Sequence, residues 1–317
     1  MITSEAFIDA FSMQVEQSDT DSFNVVSIDE QGAIRAGRGA GGCCVILPPV
    51  RNQLADINTK ALRIRFNVLV STIGNGVSRA ENACLVEVKS TEWATLEKAA
   101  RVFGLFFRSI DPQDENQVAR SIEACLEIFS NGSQPSRETV SGLWGELLVM
   151  CAVDDIDSVA RSWHVAVNET FDFSMGSRRL EVKTSMGNRS HHFSLSQLTS
   201  PGEVQIFIAS ILLFSTAAGS SILDLCDLIE RKMTDSSVYE TLMRRVWSLV
   251  PLDSDEYAQV CFDYQLAIQS IRIFRAEDIP KPNDVPYQVA HVKFQSDLQF
   301  ETSIGSSSQV EKVLLGL

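Results

Sequence analysis

Two residues in one short segment have the types and spacing needed to bind a metal ion and hydrolyse a phosphodiester bond. Glu181 and Lys183 alternate with apolar residues, so in a strand both side chains lie on the same face. A carboxylate binds hard cations such as Mg²⁺, and a nearby ammonium group orients the attacking water or stabilises developing charge on the phosphate. An ion pair on an exposed sheet face gives the same Glu-x-Lys pattern, so the pattern alone does not establish a site.

Asp172 adds a second carboxylate at a useful distance. It precedes Glu181 by nine positions, and Met175-Gly176-Ser177 forms a predicted turn between them. A hairpin of this length places the two carboxylates side by side, where one cation could bind both; without a cation they would repel each other. An aspartate at the edge of a strand is the alternative explanation.

Glu146 is the only charged residue between Thr139 and Val153, in a predicted helix with an apolar stripe. It falls on the edge of that stripe. Burial of an unpaired carboxylate is costly, so a buried Glu146 requires a cation or another partner. Partial exposure at the stripe edge explains this residue equally well when it is considered alone.

The order of these residues resembles the PD-(D/E)XK nuclease superfamily: Glu on a helix, then Asp, then Glu-x-Lys on the next strand. Three segments resemble more closely the "PD-(D/E)XK motif protein" family, namely Gly142-Leu143-Trp144-Gly145-Glu146-Leu147, Leu180-Glu181-Val182-Lys183-Thr184-Ser185 and His192-Phe193-Ser194. Phe171 stands where the superfamily has its name-giving proline, a loss that many relatives tolerate.

The resemblance implies a role for each matching residue. Asp172 and Glu181 resemble the metal-binding acids, and Lys183 resembles the catalytic lysine. Glu146 resembles the helix acid that supports the site, and Gln197 resembles a glutamine present in some branches. The implied cofactor is Mg²⁺, with Mn²⁺ expected to substitute for it.

A local basic cluster lies next to these residues and is the best candidate for contacts to DNA phosphates. Gln197 is assigned to the same DNA-binding set. A solvated loop is the alternative for the basic residues, which are Arg178, Arg179, Arg189, His191 and His192.

The function implied by the resemblance is a metal-dependent DNA endonuclease subunit of a bacterial restriction-modification or phage-defence system. Its partners would be DNA, a DNA methyltransferase and an ATPase or helicase-like subunit. The alternative is a non-catalytic scaffold or DNA-docking subunit of the same kind of complex. Four intact motif residues favour the enzyme, and metal binding at Asp172 and Glu181 would discriminate between the two. The oligomeric state stays open, with a homodimer as one option.

Composition limits the classes of protein that fit. The 317 residues are 44% hydrophobic and 21% charged, which is typical of globular proteins. A net charge of -14 argues against a protein that coats nucleic acid unaided, so we expect weak DNA binding by the isolated chain. Seven cysteines without a CxxC pair indicate reduced thiols. The first ten residues lack a basic region, and the apolar run Val204–Ala218 is too short for a membrane span, so we expect a cytoplasmic protein.

Hydrophobic periodicity predicts the elements that must position the site, in a mixed α/β (α+β) layout. We predict an N-terminal β-rich domain with a closing helix over residues 1–112. Residues 113–317 are predicted to form a restriction-endonuclease-like core, with a mixed sheet flanked by helices. The predicted helices are Ile2–Val15, Trp93–Phe107, Val118–Phe129, Thr139–Val153, Leu195–Leu198, Ile222–Met233 and Val238–Val250. The predicted strands are Phe23–Ile28, Cys43–Leu47, Leu62–Val70, Ala83–Lys89, Trp163–Val167, Thr170–Ser174, Arg179–Thr184, Val204–Phe214, Tyr264–Phe274 and Tyr287–Phe294.

Two further motifs imitate functional sites. Glu87-Val88-Lys89 repeats the Glu-x-Lys pattern, but no aspartate precedes it on a short hairpin. The glycine run Gly37-x-Gly39-x-Gly41-Gly42 resembles a phosphate-binding loop but leads into a predicted strand, whereas such loops need a following helix. We therefore predict a turn there.

Overall fold

The computed structural model describes residues 2–13, 22–39, 41–50, 55–74, 76–130, 137–164, 170–199, 202–250, 259–286 and 288–316. The chain divides into two compact units. Unit 1 consists of Met1–Gln134 and Met243–Asp255, and unit 2 consists of Pro135–Leu242 and Glu256–Leu317. The chain returns to unit 1 within helix α7 (Ser236–Leu249).

Unit 1 is built on a sheet whose strands form a closed ring. The order is β1-β2-β3-β6-β5, and β5 pairs in parallel with β1 to complete the ring. A two-residue strand, β4, pairs with the start of β5. Alternate apolar side chains fill the interior, as expected for a small barrel. The strands are β1 Ser22–Ser27, β2 Arg35–Gly39, β3 Gly42–Leu47, β4 Ile57–Asn58, β5 Leu62–Gly74 and β6 Val77–Val88.

The glycine run lies partly in strand β2, so the prediction of a turn over the whole run was wrong. A Cβ at residue 37 would lie 1.9 Å from the carbonyl oxygen of Asn24. A Cβ at residue 39 would lie 2.6 Å from the ring of Phe23. The glycines allow close packing inside the barrel, and this requirement explains a pattern that resembles a phosphate loop.

Three helices contribute a cluster of phenylalanines to unit 1. They are α1 (Ser4–Ser12), α2 (Trp93–Phe107) and α3 (Glu115–Ser130). The rings of Phe103 and Phe129 are 5.9 Å apart, and those of Phe7 and Phe103 are 6.0 Å apart. Because this packing attaches α3 to α2, the division falls after Gln134, whereas we placed it at residue 112 from the polar segment there.

Unit 2 contains a five-stranded mixed sheet in the order β14-β12-β10-β8-β7. Strands β8 and β10 pair in parallel from Arg178↔Gln205 to Ser185↔Leu212, and the other neighbours are antiparallel. The strands are β7 Phe173–Met175, β8 Arg178–Ser185, β10 Gln205–Leu212, β12 Arg272–Arg275 and β14 Gly305–Ser306. A separate two-stranded antiparallel sheet consists of β9 (Ser190–Ser194) and β13 (Lys293–Asp297). Strand β11 spans Ser215–Ser220.

Helices flank the sheet of unit 2, in agreement with the predicted mixed α/β class. They are α4 Arg137–Cys151, α5 Ile156–Arg161, α6 Ile222–Lys232, α8 Tyr264–Ser270 and α9 Val310–Leu315. Helix α4 packs on both α6 and β8. Trp144 anchors α4: its indole N–H donates to the carbonyl oxygen of Ser220 at 2.8 Å, and its ring meets that of Phe262 at 5.2 Å.

Gly145 sets the close approach of α4 to β8. A Cβ at this position would lie 2.3 Å from Cγ2 of Thr184. Threonine is stiff at χ1, so this methyl group cannot easily move aside. The missing side chain therefore brings the next residue, Glu146, close to the sheet.

We expect Gly145→Ala to destabilise the protein by about 1–3 kcal/mol, because the extra methyl group overpacks the helix–sheet interface. Gly142→Ala is a matched control in the same helix, since a Cβ there meets nothing within 4 Å. The control should stabilise by about 0.5–1 kcal/mol through reduced backbone entropy in the unfolded chain. Urea unfolding of both variants measures the difference; equal stabilities would contradict the packing argument.

Two strand predictions in unit 2 need correction. Tyr264–Phe274 was predicted as one strand, but the structure has helix α8 over Tyr264–Ser270 before β12. The Asp263 side chain accepts from Leu266 N at 2.9 Å and caps this helix, a signal that outweighs the local apolar alternation. The second correction concerns the strand predicted at Tyr287–Phe294. In the structure this strand, β13, begins at Lys293, and Tyr287 lies outside the described residues. Trp163 makes a single bridge to Phe173, and residues 165–167 also lie outside the described part.

None of the helices in the described ranges combines the length and the apolar character that a membrane crossing requires.

Candidate active site

The structure brings Glu146, Asp172, Glu181 and Lys183 together in unit 2. Glu146 lies on α4, Asp172 immediately precedes β7, and the other two lie on β8. Phe173 pairs with Leu180 across the β7–β8 hairpin, so Asp172 lies beside Glu181, as the nine-residue spacing predicts. Gly176 makes the tight turn with φ 53°.

Two side chains fix the carboxylate of Glu146. The indole N–H of Trp163 donates to its Oε2 at 2.7 Å, and Nε2 of His164 lies 3.1 Å from the same oxygen. The Glu146 side chain is only 15% exposed. Neighbouring residues on one segment therefore hold one carboxylate oxygen, and Glu146 is a fixed member of the site.

The segment that carries Trp163 and His164 is itself attached to the β7 strand. The backbone N–H of His164 donates to the carbonyl oxygen of Asp172 at 2.9 Å, and Ser174 donates to Ser162 at 2.8 Å. His164 has φ 42°, a left-handed conformation that few non-glycine residues adopt. Such strain persists only where surrounding contacts impose it, and it often marks functional positions.

Asp172 has one oxygen committed to the backbone and the other directed to the site. Its Oδ2 accepts from the backbone N–H of Val182 at 2.7 Å, and its Oδ1 is 4.0 Å from Nε2 of His164. Burial raises the pKa of Asp172 well above its usual value, and the nearby charges of Glu146 and Glu181 raise it further. The carboxylate form is thus disfavoured until a cation enters.

Glu181 is buried, and its two oxygens differ. Its Oε1 accepts from Nζ of Lys183 at 2.7 Å and from Nε2 of Gln197 at 2.5 Å. Its Oε2 is buried with no hydrogen-bond partner among the described residues. Burial raises the pKa of Glu181, and the charge of Lys183 opposes that increase. An unpartnered buried carboxylate oxygen is costly unless a further ligand satisfies it.

The donor set fits a divalent cation. Ligand atoms of Glu146, His164 and Asp172 all lie within 4.8 Å of one another. Two carboxylates with one imidazole are a common ligand set for divalent metals. Glu181 is not part of this group, although its buried Oε2 has no hydrogen-bond partner among the described residues. We predicted Asp172 and Glu181 as the ligand pair, whereas the geometry groups Asp172 with Glu146 and His164.

Sequence reasoning missed His164 and Trp163. His164 has no cysteine at a metal-ligand spacing, so its sequence context alone does not indicate a ligand. A usable signal was present: His164 lies eight residues before Asp172 in the predicted strand meander. Residues so placed on neighbouring strands can share a site with Asp172.

Two members of the predicted basic cluster are buried, so the structure removes them from the set of phosphate contacts. The guanidinium of Arg189 donates to Ser210 O at 2.7 Å, to Ser210 Oγ at 2.9 Å and to Ser270 O. Burial lowers the pKa of Arg189 to about 10. His191 lies 2.7 Å from Ser210 Oγ, and burial lowers its pKa to about 4, so the ring is neutral at pH 7. These side chains join strands β9 and β10 and helix α8.

The other members of that cluster lie apart from one another. Arg178 donates to the carbonyl oxygens of Lys312 and Val313 at the end of α9, at 3.3 and 2.8 Å. Arg179 donates to Gly176 O and Arg178 O, both at 2.8 Å. His192 is exposed on β9. The structure does not form a continuous basic strip from the five residues.

The second Glu-x-Lys motif, in unit 1, does not form a comparable site. Glu87 lies 3.4 Å from Arg65 in an ion pair, while Nζ of Lys89 donates to Asn58 Oδ1 at 3.1 Å and to Thr59 O at 2.8 Å. Glu87 and Lys89 thus have separate structural partners.

Comparison with known protein families identifies a match. The model of a family described as "Putative PD-(D/E)XK family member, (DUF4420)" matches residues 107–299, more than half of the 317-residue chain and all four motif residues. No curated protein and no solved structure matches the chain. The buried acids, the Glu-x-Lys strand and this match agree, and the chain belongs to this PD-(D/E)XK family.

Proposed function

We propose that this chain is a metal-dependent deoxyribonuclease that hydrolyses phosphodiester bonds in DNA. The observation that carries the proposal is the convergence of three potential metal ligands, Glu146, His164 and Asp172, beside the Glu181–Lys183 pair. Structural ion pairs alone do not explain this arrangement, because the charges of Glu146 and Glu181 raise the pKa of Asp172 and the buried Oε2 of Glu181 has no hydrogen-bond partner among the described residues.

We propose that the divalent cation is Mg²⁺, with Mn²⁺ as a substitute. Its ligands would be Glu146, His164 and Asp172, with Oε2 of Glu181 as a further ligand. The bound metal would lower the pKa of a water molecule and stabilise negative charge on the phosphate. The chain itself supplies a fixed set of oxygens and one imidazole. Trp163 and Gln197 are positioning residues, because they orient Glu146 and Glu181.

Lys183 is the proposed catalytic cation. Its Nζ is 2.7 Å from Glu181 Oε1 and 5.7 Å from the ring centroid of Phe193, so its position is defined from two sides. The side chain is 20% exposed, so the ammonium group can reach a bound phosphate. There it would orient the attacking water and stabilise the charge that develops on the phosphate.

We further propose that the enzyme acts as a subunit of a restriction-modification or phage-defence complex with a methyltransferase and an ATPase or helicase-like protein. The supporting observation is the net charge of -14, which disfavours unaided capture of DNA. A partner that delivers DNA raises its effective concentration at the site. The isolated chain should therefore cut slowly, and more slowly as salt increases.

The test is nicking and linearisation of supercoiled plasmid by the isolated chain at micromolar concentration and low salt, with Mg²⁺, Mn²⁺ or EDTA. Asp172→Asn purified in parallel controls for contaminating nucleases. We expect slow cleavage that requires metal and is absent in the variant. Equal cleavage by wild type and variant would reject the proposed deoxyribonuclease activity. The same conclusion would follow if neither metal supported cleavage at any protein concentration. Rapid cleavage by the isolated chain at moderate salt would reject the proposal that a partner must deliver the DNA, and would leave the proposed enzyme activity standing.

A further inference from the structure

Unit 2 contains a pocket of about 690 Å³ at one end of its sheet, distinct from the acidic site. The start of β8, the start of β10 and the end of β12 meet there. The pocket volume is within the range that encloses small ligands. Its walls combine cationic, amide and apolar side chains, which together define a ligand chemistry.

The charge of this pocket is opposite to that of the whole chain. The chain has 27 Lys and Arg against 41 Asp and Glu, yet the pocket is lined by four basic residues and one acid, Glu277. The basic residues come from separate parts of the fold: Arg178, Arg275, Lys281 and Lys312. Such a concentration of positive charge against a negative background attracts anions.

Neutral carbonyl groups, and not carboxylates, hold two of these cations in place. Arg178 donates to carbonyl oxygens of α9, and Lys281 Nζ donates to Leu198 O at 3.1 Å and Ala276 O at 3.5 Å. Arg275 is 3.7 Å from Glu277, but both side chains are more than half exposed, so this pair is weak. Within the described residues, no carboxylate pairs with Arg178, Lys281 or Lys312. Their charge stays available to a ligand.

The remaining lining suits an organic group attached to the anion. Apolar side chains form part of the wall, including Ile206, Phe207 and Ile304, the last of which is 42% exposed. Gln205 and Gln309 add amide donors and acceptors at the same pocket. A bare inorganic anion would use only the cations, whereas a nucleobase would use the apolar wall and the amides.

We propose that this pocket binds a nucleoside phosphate, either as a free nucleotide or as a nucleotide within a single DNA strand. Arg178 and Glu181 lie three residues apart on β8, about 10 Å along the strand. Leu198 and Thr199 of the wall directly follow Gln197, which contacts Glu181. The pocket thus shares supporting elements with the acidic site but none of the proposed metal ligands.

The experiment measures binding in EDTA, so it is independent of cleavage and of the proposed nuclease function. The probes are dAMP, deoxyadenosine and a 12-nucleotide single-stranded DNA, measured by calorimetry and fluorescence anisotropy. The pocket variant is Arg275→Gln with Lys312→Gln. The matched control is Arg272→Gln with Lys293→Gln, which removes two exposed cations of the same unit outside the pocket.

We expect the pocket variant to weaken binding of dAMP or of the DNA strand at least tenfold, and the control to change it less than twofold. Binding of dAMP but not deoxyadenosine, without competition from the strand, identifies a free nucleotide; competition identifies a nucleotide within a strand. Equal losses in the two double variants, or binding of deoxyadenosine as tight as dAMP, would overturn the proposal. No binding of any probe to the folded wild type would also overturn it.

Discussion

Lys183→Ala should lower the rate of metal-dependent DNA cleavage by at least about 10²–10³-fold, the usual effect of removing one group that stabilises developing charge. Lys183 is the one cation whose Nζ hydrogen-bonds to a carboxylate of the acidic site in the described structure. The fold should survive, because the pKa of Glu181 is already raised by burial. Without Lys183 this carboxyl can take up a proton and avoid a buried, unpaired charge.

The measurement is single-turnover cleavage of a plasmid, with thermal unfolding of each variant recorded in parallel. Arg231→Ala removes an exposed cation from α6 and serves as the control, with cleavage within twofold of wild type. Cleavage by Lys183→Ala at the wild-type rate would exclude a catalytic role. A folded variant that still binds metal but does not cut would separate chemistry from assembly of the site.

Asp172→Asn should have opposite effects in the absence and in the presence of metal. Without metal, the substitution removes a desolvated carboxylate repelled by Glu146 and Glu181, while the amide oxygen can still accept from Val182 N. We expect the melting temperature to rise by about 1–2 °C, which corresponds to about 1 kcal/mol for a chain of 317 residues. With saturating Mn²⁺, wild type should gain stability, by about 2.7 kcal/mol at 100 times its Kd, and the variant should gain little.

The same substitution should flatten the dependence of stability on pH. The pKa of Asp172 is raised in the folded state, so the folded protein binds a proton at pH values where the unfolded chain has lost it. The free energy of unfolding of the metal-free wild type therefore decreases as pH rises through the raised pKa of Asp172. Asp284→Asn, at an exposed position, is the control. A variant less stable than wild type without metal, with an unchanged pH profile, would show that Asp172 is a structural acid.

Local spacing was sufficient to predict the part of the site that lies on one hairpin. The turn at Gly176 fixes the register of β7 and β8, so nine residues of separation determine that Asp172 lies beside Glu181. Local spacing does not place Glu146 beside this hairpin. Its position depends on the close approach of helix α4 to strand β8, where Gly145 meets Thr184. Pattern reasoning identifies residues that share a hairpin more readily than residues that meet through packing.

Tertiary contacts explain what the sequence did not predict. The sequence predicts Arg189 and His191 as surface cations, because no local pattern reveals that oxygens of Ser210 and Ser270 form hydrogen bonds with them. The helix at Tyr264–Ser270 depends on its cap, Asp263. The unit boundary after α3 depends on ring packing between the consecutive helices α2 and α3. The partners of Arg189 and His191 are distant in sequence, whereas the Asp263 cap is a local signal that the apolar alternation obscures.

The β5–β6 hairpin of unit 1 extends beyond the pairing with β3, and this extension determines how another protein can bind there. In peptide recognition by β-augmentation, a partner adds a strand to an open sheet edge and forms backbone hydrogen bonds. Strand β6 pairs with β5 from Val77 to Val88 but with β3 only from Cys84 to Val88, so among the described residues 77–83 have a strand neighbour on one side alone. A partner strand could therefore pair with the backbone of residues 77–83. In such a complex backbone hydrogen bonds would supply affinity, and the alternating side chains of this edge would supply specificity.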